Sequence, residues 1–378
     1  MSRWCSSGKG CRRCAMEFHW YWPFARPEEL EWATATLRPG ERMLVQVVDR
    51  EAAPAAGSAD GVIVVRDLPD VDRSSSGLRW PVSRATTYLR RARARKRVWR
   101  DGHFDLVHLH YVNRFTDAFA RFPRPLVMSV HDVVPHVPRL GHGFERRLLT
   151  RLYRRPDALV VHHIRLANAL VDEFDVDRSR VHVVPHQVFP VDNPPERPPA
   201  GAPLVLFFGA FRPNKGIEVL AEMMEHLDGI DLRLAIVGRG DEPLERMAVE
   251  LSLVDPRVTA EVGFATLQRK RELFGLASVV VLPYTQFASQ SGVLHDAYGH
   301  GRPVVVTDVG ALGDAVREDG TGFVVPPGDA LALADGVRAA LQPNAWDGYA
   351  AAARQVAIDR SPANIGVRLR EVYDTLLN

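Results

Sequence analysis

The sequence predicts an α/β fold made of two Rossmann-like, doubly wound domains. Its 378 residues are too many for one ordinary hydrophobic core and enough for two. Short, apolar, β-branched runs alternate with helical patterns along the chain, as in proteins whose parallel strands are joined by helices. A proline-rich segment at 185–203 separates two such series and predicts a linker.

The predicted strands are continuous apolar runs, which are typical of parallel strands buried on both faces. The first series comprises 43–48, 61–65, 105–109, 126–130, 158–162 and 180–184, and the second comprises 204–208, 232–237, 278–282, 303–306 and 322–325. Helical patterns lie at 215–226, 243–253, 266–275 and, on either side of Pro362, within 344–376. We therefore predict a tail at 1–15, a first domain at 16–190, a linker at 191–203 and a second domain at 204–361.

Charge, hydropathy and cysteine usage narrow the class of protein. The formal net charge of +2 gives no signal for a polyanionic partner such as nucleic acid. No apolar run approaches the roughly 18–20 residues that span a bilayer, and the start of the chain lacks the apolar core of a secretory signal. The cysteines Cys5, Cys11 and Cys14 all lie in that start, which fits a reducing, cytoplasmic compartment. Cys11 and Cys14 form either a metal or redox pair or part of a disordered tail ahead of a start at Met16.

The segment FFGAFRPNKG at 207–216 predicts an anion site. We expect a strand to end at Phe208, a loop to open at Gly209 and a helix to start near Lys215. Ligands of open α/β sheets bind at the carboxyl ends of the strands. Arg212 and Lys215, beside a helix N-terminus, would suit a diphosphate there. The alternative is a surface loop with two solvated cations.

A second loop, ASQSGVLHDAYGHGRP at 288–303, follows another predicted strand. Its small and polar residues, Ser289, Gln290, Ser291 and Gly292, lie where a helix begins and would offer backbone N–H groups to an anion. Asp296, farther along that helix, could accept hydrogen bonds from ribose hydroxyls, or could be a solvated helix charge. Gly238, Arg239 and Gly240 and the loop at 308–312 follow two more strands and would extend the same ligand edge.

Histidines and arginines in the first half suggest two further possibilities. Seven histidines lie at or near the ends of predicted strands, and two of them, His108 and His110, have metal-ligand spacing. These histidines would either bind a metal or form the polar lining of a cleft. The seven are His108, His110, His131, His136, His162, His163 and His186. The segment RATTYLRRARARKRVWR at 84–100 predicts a basic helix that lies on anionic membranes or is solvated through its charges.

Taken in order, these motifs resemble those of the retaining GT-B glycosyltransferases of family four. The second half carries FFGAFRPNKGIEVL, AIVGRGDEP, VGFA, VVVLPY, SQSGVLHDAYGHGRPVVVTDVGAL and GTGFVVPPGD, and the first half carries DLVHLHYVNR, SVHDVVPH, ALVVHH and RVHVVPHQVFP. The resemblance implies a GT-B fold in which the two domains face a central cleft. The first domain would bind the acceptor and be completed by the C-terminal helix at 362–378, and the second would bind the donor.

The resemblance also implies roles for individual residues. Arg212 and Lys215 would hold the donor diphosphate, and His131 would lie near the transferred sugar; we take these three as catalytic. The donor would be bound by Gly209, Gly238, Arg239, Val262, Ser289, Gln290, Ser291, Gly292 and Asp296. Asp296 falls where the family has the second glutamate of its E-x7-E motif, which binds ribose.

Two departures from the family pattern stand out. Ala288 occupies the position of the first glutamate of E-x7-E, with Phe287 beside it, and neither can accept a hydrogen bond from a sugar. The first strand, within MEFHWYWPFARPEELEW, lacks the usual glycine-rich loop. Acceptor binding would then depend on aromatic and basic residues in and after the first strand and at the end of a neighbouring one. Alternatively, the aromatic residues would simply form a packed first strand. The residues are His19, Trp20, Trp22, Arg26 and His110.

The activity implied is transfer of a hexose-type sugar, with retention, from a nucleoside diphosphate sugar to a hydroxyl of a glycan, a lipid-linked acceptor or a small molecule. No metal or other cofactor is expected, because GT-B enzymes stabilise the leaving diphosphate with cations and helix dipoles. Two alternatives stay open. One is a nucleotide-sugar epimerase or a phosphorylase on the same fold, and the other is a non-catalytic partner protein.

Overall fold

The structure is a computed structural model that describes residues 15–50, 53–71, 79–134, 141–194, 201–286 and 291–378. The first eight strands are β1 (Glu17–Tyr21), β2 (Arg42–Val48), β3 (Gly57–Ala59), β4 (Val62–Leu68), β5 (Leu106–Leu109), β6 (Leu126–Ser129), β7 (Ala158–Val161) and β8 (Val181–Val183). They form one sheet in the order β3-β4-β2-β1-β5-β6-β7-β8. The β1–β2, β1–β5, β2–β4 and β5–β6 pairs are parallel, and β3 runs antiparallel to β4.

The helices among these strands are α1 (Leu30–Thr36), α2 (Arg79–Asp101), α3 (Arg114–Asp117), α4 (His142–Tyr153) and α5 (Ile164–Phe174). The basic segment is thus helical, within α2. Two of its arginines point inward: Arg95 forms an ion pair of 2.6 Å with Asp117, and Arg91 donates to the carbonyl of Pro69. Part of the predicted basic face is therefore structural rather than solvated.

The second sheet contains β9 (Leu204–Phe211), β10 (Arg233–Gly240), β11 (Val258–Val262), β12 (Val279–Leu282), β13 (Val304–Thr307) and β14 (Gly322–Val325). Its order is β11-β10-β9-β12-β13-β14, and every pair is parallel. Its helices are α6 (Ile217–His226), α7 (Glu242–Val254), α8 (Leu267–Leu276), α9 (Gly292–Gly299), α10 (Gly310–Asp319), α11 (Ala330–Ala340), α12 (Pro343–Asp359) and α13 (Pro362–Leu377).

Alternate residues of this second sheet enter two separate hydrophobic cores. Val205 and Phe207 of β9 pack with α6, α7 and α11 on one face, whereas Leu204 and Leu206 pack with α8, α9, α10 and α12 on the other. The helices that follow β9 and β12, α6 and α9, consequently leave the sheet on opposite faces. Neighbouring strands whose connections diverge in this way create a crevice at their carboxyl ends, where doubly wound sheets bind ligands.

By contacts, the chain divides into two units. One consists of Met1–Ser129, Arg147–Leu159 and Gly366–Asn378, and the other of Val130–Arg146 and Val160–Ile365. In the first unit the end of α13 is held by Tyr373, whose hydroxyl accepts a hydrogen bond of 2.8 Å from Trp20 Nε1. Arg370 of the same helix donates to Glu41 at 2.8 Å. The boundaries at 190 and 204 stay a prediction.

The predicted strands all occur in the structure, and β3 and β11 are added to them. Three boundaries were wrong: β4 runs to Leu68 instead of 65, β10 to Gly240 instead of 237, and β9 to Phe211 instead of 208. The extended β9 continues through Gly209 and pairs with β10 as far as Gly240. Glycines make this extension possible. A Cβ atom on Gly238 would lie 1.8 Å from the carbonyl oxygen of Gly209, and one on Gly240 would lie 1.9 Å from that of Phe211. The periodicity of apolar residues does not show such backbone contacts.

No helix among the described ranges is both long enough and apolar enough to cross a membrane.

The turn between β9 and α6 provides a test of this packing. Gly216 has a φ of +68°, and a Cβ atom there would lie 1.9 Å from the carbonyl oxygen of Pro283, just after β12. Gly216→Ala should therefore lower the free energy of unfolding by about 2 kcal/mol or more. Gly348→Ala, on an exposed face of α12 where a Cβ meets nothing, should instead stabilise by about 0.5–1 kcal/mol. Urea unfolding measures both, and equal effects would contradict the tight turn.

Candidate functional site

The crevice between the ends of β9 and β12 contains the two predicted cations. Arg212 follows β9 and is exposed, and Lys215 ends a short 3₁₀ turn, Pro213–Lys215, and is partly buried. The turn is attached to the segment after β12, because the Asn214 side chain donates to the carbonyl of Gln286 at 3.0 Å and the Thr285 N–H donates to that of Asn214 at 3.1 Å. These two hydrogen bonds fix the backbone of the loop to the segment after β12.

Lys215 lies over an aromatic ring in a partly desolvated position. Its Nζ is 3.5 Å from the centre of the Tyr284 ring. Burial, and then the positive charge of Arg212, lower the pKa of Lys215 to about 8, although the negative charge of Asp132 opposes them. A bound anion would reverse this, because it would favour the charged form. Lys215 is therefore a partly desolvated cation next to a second cation, Arg212.

Tyr284 connects this lysine to the start of α9. Its hydroxyl lies 2.9 Å from Ser291 Oγ, and its backbone carbonyl accepts a hydrogen bond of 2.5 Å from Thr307 Oγ1. Burial raises the pKa of Tyr284 to about 12, so the ring stays neutral. Ser291 is the residue that precedes α9, and its side chain bonds to Tyr284 instead of capping the helix. The start of α9 therefore has no side-chain cap from the described residues, although the Leu294 N–H donates to the Ser291 carbonyl at 3.0 Å.

Gly209, near the end of β9, and Gly292, at the start of α9, both lie at this edge of the sheet. Gly209 has a φ of +135°, and a Cβ there would meet Val293, in the first turn of α9, at 3.5 Å. A Cβ on Gly292 would meet nothing within 4 Å. The positive φ, rather than lack of space, is what requires glycine at 209. The end of β9 thus lies next to the first turn of α9, so both could contact one ligand.

Asp296 is not the solvated charge of the alternative interpretation. Lys270 of α8 donates to its Oδ1 at 2.6 Å, and both side chains are partly buried. His300 Nδ1 bonds to the backbone carbonyl of Asp296 at 2.8 Å. Lys270 was not predicted from the sequence, because nothing in the pattern of α8 distinguishes it from the neighbouring Arg269 and Arg271.

Arg239 and Val262 lie farther along the edge, at the ends of β10 and β11. The guanidinium of Arg239 is 4.8 Å from the centre of the Phe264 ring, which is 76% exposed. The Gly263 N–H donates to the Gly238 carbonyl at 2.8 Å and joins the two strand ends. Phe264 was not predicted from the sequence, although an aromatic residue directly after a strand and a glycine could have indicated it. This exposed cation–aromatic pair would suit a planar ring such as a nucleobase.

The histidines of the first half divide into two groups. His131 Nδ1 lies 3.2 Å from His162 Nε2, and the ring of His186 stacks on that of His295 at 4.5 Å. The negative charge of Asp132, next to His131, raises the pKa of Lys215 against the stronger lowering effects of burial and Arg212.

His108 and His110 lie elsewhere, inside the first sheet. His108 Nδ1 is 2.6 Å from the Tyr373 hydroxyl, and His108 Nε2 is 2.9 Å from Ser129 Oγ. His110 stacks between His108 at 4.0 Å and Trp22 at 4.6 Å. Both nitrogens of His108 are thus engaged. Within the described part of the chain, no group of three or more metal-ligating side chains comes together.

The residues proposed for acceptor binding are mostly internal. His19 is fully buried, accepts a hydrogen bond of 2.9 Å from Trp99 Nε1, and has its pKa lowered to about 3 by burial. Trp20, Trp22 and His110 are also buried, which corresponds to the packed-strand alternative. Arg26 alone is well exposed, at 48%, beside Glu28 and Glu29. Acceptor binding by these residues stays a prediction, and of the five only Arg26 is exposed enough to contact a ligand.

Several predicted positions lie outside the described residues. These are Phe287, Ala288, Ser289 and Gln290 of the loop before α9, together with His136, Cys5, Cys11 and Cys14.

Comparison with protein families matches both halves of the chain. The model for "Glycosyltransferase Family 4" matches residues 30–188, and the model for "Glycosyl transferases group 1" matches residues 202–343. Among curated proteins, a D-inositol 3-phosphate glycosyltransferase of Nocardia farcinica is 29% identical over 273 residues, which cover 64% of this chain and 59% of that protein. The chain thus spans less than two thirds of that relative's length.

Two solved structures show the same architecture. Sucrose-phosphate synthase from Thermosynechococcus elongatus superposes with a TM-score of 0.72 at 18% identity, covering 96% of this chain and 99% of that one. HepE from Anabaena, solved in complex with UDP-glucose, superposes with a TM-score of 0.66 at 17% identity, covering 96% and 100%. These likenesses confirm the predicted GT-B fold. With both family models matched in sequence along it, the chain belongs to the group 1 glycosyltransferases of family four.

Proposed function

We propose that this protein transfers a hexose-type sugar, with retention, from a nucleoside diphosphate sugar to a hydroxyl acceptor. The observation that carries the proposal is Lys215, a partly buried cation with a pKa of about 8, placed with Arg212 between the diverging strands β9 and β12. The structural likeness to HepE, which was solved with UDP-glucose, supports a nucleotide-sugar donor. The acceptor class stays open among glycans, lipid-linked acceptors and small molecules.

In this proposal the site acts on the leaving group. When the bond between the sugar and the diphosphate breaks, negative charge builds on the departing phosphate. Lys215, which lies over the Tyr284 ring, and the first turn of α9 would stabilise that charge with little reorganisation, and the exposed Arg212 would add a second positive charge. The departing phosphate oxygen takes the proton of the incoming hydroxyl on the same face, which retains the anomeric configuration. These groups neutralise the diphosphate, so the proposal needs no metal ion or other cofactor.

The nucleoside would lie along the edge formed by β10, β11 and α9. Asp296 would accept hydrogen bonds from the ribose hydroxyls, and Lys270 fixes the orientation of its carboxylate. The base would stack on the exposed pair of Arg239 and Phe264, next to Val262. The sugar would extend from the diphosphate toward His131, whose neighbour Asp132 acts through its charge on the pKa of Lys215.

We further propose a peripheral membrane contact at the cytoplasmic face through α2. Arg91 and Arg95 point inward, and an outward stripe remains; its members are Val82, Leu89, Arg90, Arg93, Lys96 and Arg97, all exposed. Val82 and Leu89 are 63% and 48% exposed, which places apolar side chains on the same helix as the cations. Such a helix attracts anionic lipid headgroups and inserts only shallowly.

Removal of either cation should lower turnover. Arg212→Ala and Lys215→Ala should each reduce kcat by about 30- to 1000-fold, corresponding to roughly 2–4 kcal/mol, because each charge acts mainly as the leaving group becomes anionic. Arg246→Ala, which removes a 65% exposed arginine from α7, is the matched control and should leave kcat unchanged. Steady-state assays with the best nucleotide sugar measure all three. Full turnover in both site variants would show that this loop is not the diphosphate site.

The same lysine should reduce the stability of the unliganded protein. Its pKa is about 8 in the folded chain and 10.5 ordinarily, so the folded state disfavours the charged form. That cost is present below about pH 8 and disappears as the pH rises to the unfolded value. Lys215→Met should therefore raise the free energy of unfolding at pH 7 by about 1 kcal/mol, after loss of the Tyr284 contact, and the gain should shrink toward pH 10.

Urea titrations at pH 7 and pH 10 measure this effect. Lys96→Met, at an exposed position of α2, is the control and should change stability little at either pH. A Lys215→Met variant that is less stable than the wild type at pH 7 would contradict the desolvated state of the lysine.

Membrane attachment should depend on salt. Binding to vesicles of phosphatidylcholine with 30% phosphatidylglycerol should weaken strongly as NaCl rises from 50 to 500 mM, because the contact is electrostatic. Replacement of Arg93, Lys96 and Arg97 by glutamine should abolish sedimentation with the vesicles. Binding that resists high salt, or persists in the triple variant, would refute this contact.

A further inference from the structure

Helix α7 carries an exposed face on which acidic and apolar side chains are separated along the helix. Glu242 and Glu245 lie in its first turn, and Val249, Leu253 and Val254 lie in its second half. Leu253 and Val254 are 79% and 78% exposed, the highest values among the large apolar side chains that the structure describes. We call these five residues the α7 face. Exposed apolar clusters next to polar residues are typical of surfaces that bind another macromolecule.

The α7 face borders a groove of about 330 Å³ that carries a net negative charge. Three glutamates oppose one arginine there, and that arginine, Arg246, is paired with Glu242 at 3.4 Å. The groove ends at β11, the edge strand of the second sheet, so no further strand of the described sheet covers it. The groove is lined by Glu242, Glu245, Arg246, Val249, Glu250 and Val262. A partner that fits this surface presents apolar side chains at one end and cations at the other.

The outward stripe of α2 has these two parts, in the opposite order along the chain. Val82 and Leu89, in the first half of the helix, are exposed and apolar, whereas Arg93, Lys96 and Arg97, in the second half, are exposed and cationic. They recur at intervals of three, four or seven residues, which places them on one face of a helix. Along α7 the charges come first, and along α2 the apolar side chains come first.

The two faces match when the helices run antiparallel. Consider Leu89 of α2 beside Val249 of α7. Residues seven positions away, at 96 in α2 and 242 in α7, then also meet, because both helices rise about 1.5 Å per residue. Lys96 therefore lies beside Glu242. Parallel packing would instead set the cations of α2 against the apolar end of α7, so charge selects one direction.

The same register agrees at two further positions. Four residues along, Arg93 comes beside Glu245. The cation on the α7 side, Arg246, falls opposite Ala92, which is small and uncharged. No like charges meet at these positions, and like charges directly opposite each other would weaken the contact.

We propose that α2 of one molecule docks antiparallel on the α7 face of a second copy of this chain. The two surfaces differ, so the contact is heterologous, and each molecule offers one of each. Association is therefore not limited to the dimer and grows with concentration. The inference does not depend on glycosyl transfer. It uses the stripe also proposed for the membrane contact, so a molecule whose α2 is docked cannot bind lipid through it.

Two substitutions each remove one side of the contact. Leu89→Asp places a charge in the apolar part of the α2 stripe, and Val249→Asp does the same on the α7 face. Both positions are exposed, so the fold should hold in either variant. Val367→Asp, at an exposed apolar position of α13, is the matched control.

Sedimentation velocity of the full chain, under reducing conditions and without lipid, measures association. The wild type and Val367→Asp should associate with a Kd of roughly 1–100 μM, as expected for a small contact, and each of the other two variants alone should stay monomeric. An equimolar mixture of Leu89→Asp and Val249→Asp should form dimers and nothing larger, because it contains only one intact pair of faces. A mixture without dimers would overturn the proposal. So would a wild type that stays monomeric, whether or not it binds anionic vesicles.

Charge exchange tests the register. Lys96→Glu and Glu242→Lys should each weaken association roughly 3- to 30-fold, because each replaces an attraction by a repulsion. A chain that carries both substitutions should recover most of the loss. Equal association of the wild type, both single variants and the double variant would overturn the proposed pairing, even if the aspartate variants fail to fold.

Discussion

The candidate site depends on one topological constraint, the divergence of α6 and α9 from neighbouring parallel strands. Because β9 and β12 send their helices to opposite faces, their carboxyl ends form the edge at which doubly wound sheets bind ligands. Gly216 allows the turn after β9 to contact the Pro283 carbonyl directly, and Gly209 takes a positive φ beside the start of α9. These two backbone contacts position the groups that we propose for anion binding, from Lys215 to the first turn of α9.

The position of Lys215 at this edge explains why its pKa is lowered. Lys215 lies over the neutral Tyr284 ring and near Arg212, an environment that disfavours its charge. A side chain placed there for stability alone would be apolar. In the proposed function, the desolvated Lys215 lowers the stability of the protein without ligand and would interact strongly with a diphosphate, since interactions between charges strengthen where water is excluded. The same trade-off between stability and function is common where binding sites retain destabilising groups.

The sequence predicted the fold, since apolar runs and their order determine a doubly wound sheet. Arg212, Lys215 and Gly209 were proposed as site residues because charged and glycine residues follow a strand; the structure places them at the end of β9, and their role stays a prediction. Contacts made across the chain were not predicted: Lys270 reaches Asp296 from another helix, and His19 is fully buried although its strand resembles an acceptor edge. Nor could the sequence show that β9 continues to Phe211, because that extension depends on glycines in its partner β10.

The central claim is that the crevice binds the diphosphate of a nucleotide through protein cations. The most direct measurement is the thermal unfolding of the wild-type protein and of the Arg212→Ala variant with UDP, GDP, dTDP and ADP, all in EDTA. At 100 times Kd, binding should stabilise the wild type by about 2.7 kcal/mol, so at least one diphosphate should raise its Tm, and the matching nucleoside without phosphates should have far less effect. That increase should be much smaller in Arg212→Ala. No increase with any diphosphate, or an increase that appears only when Mn²⁺ replaces EDTA, would contradict the account.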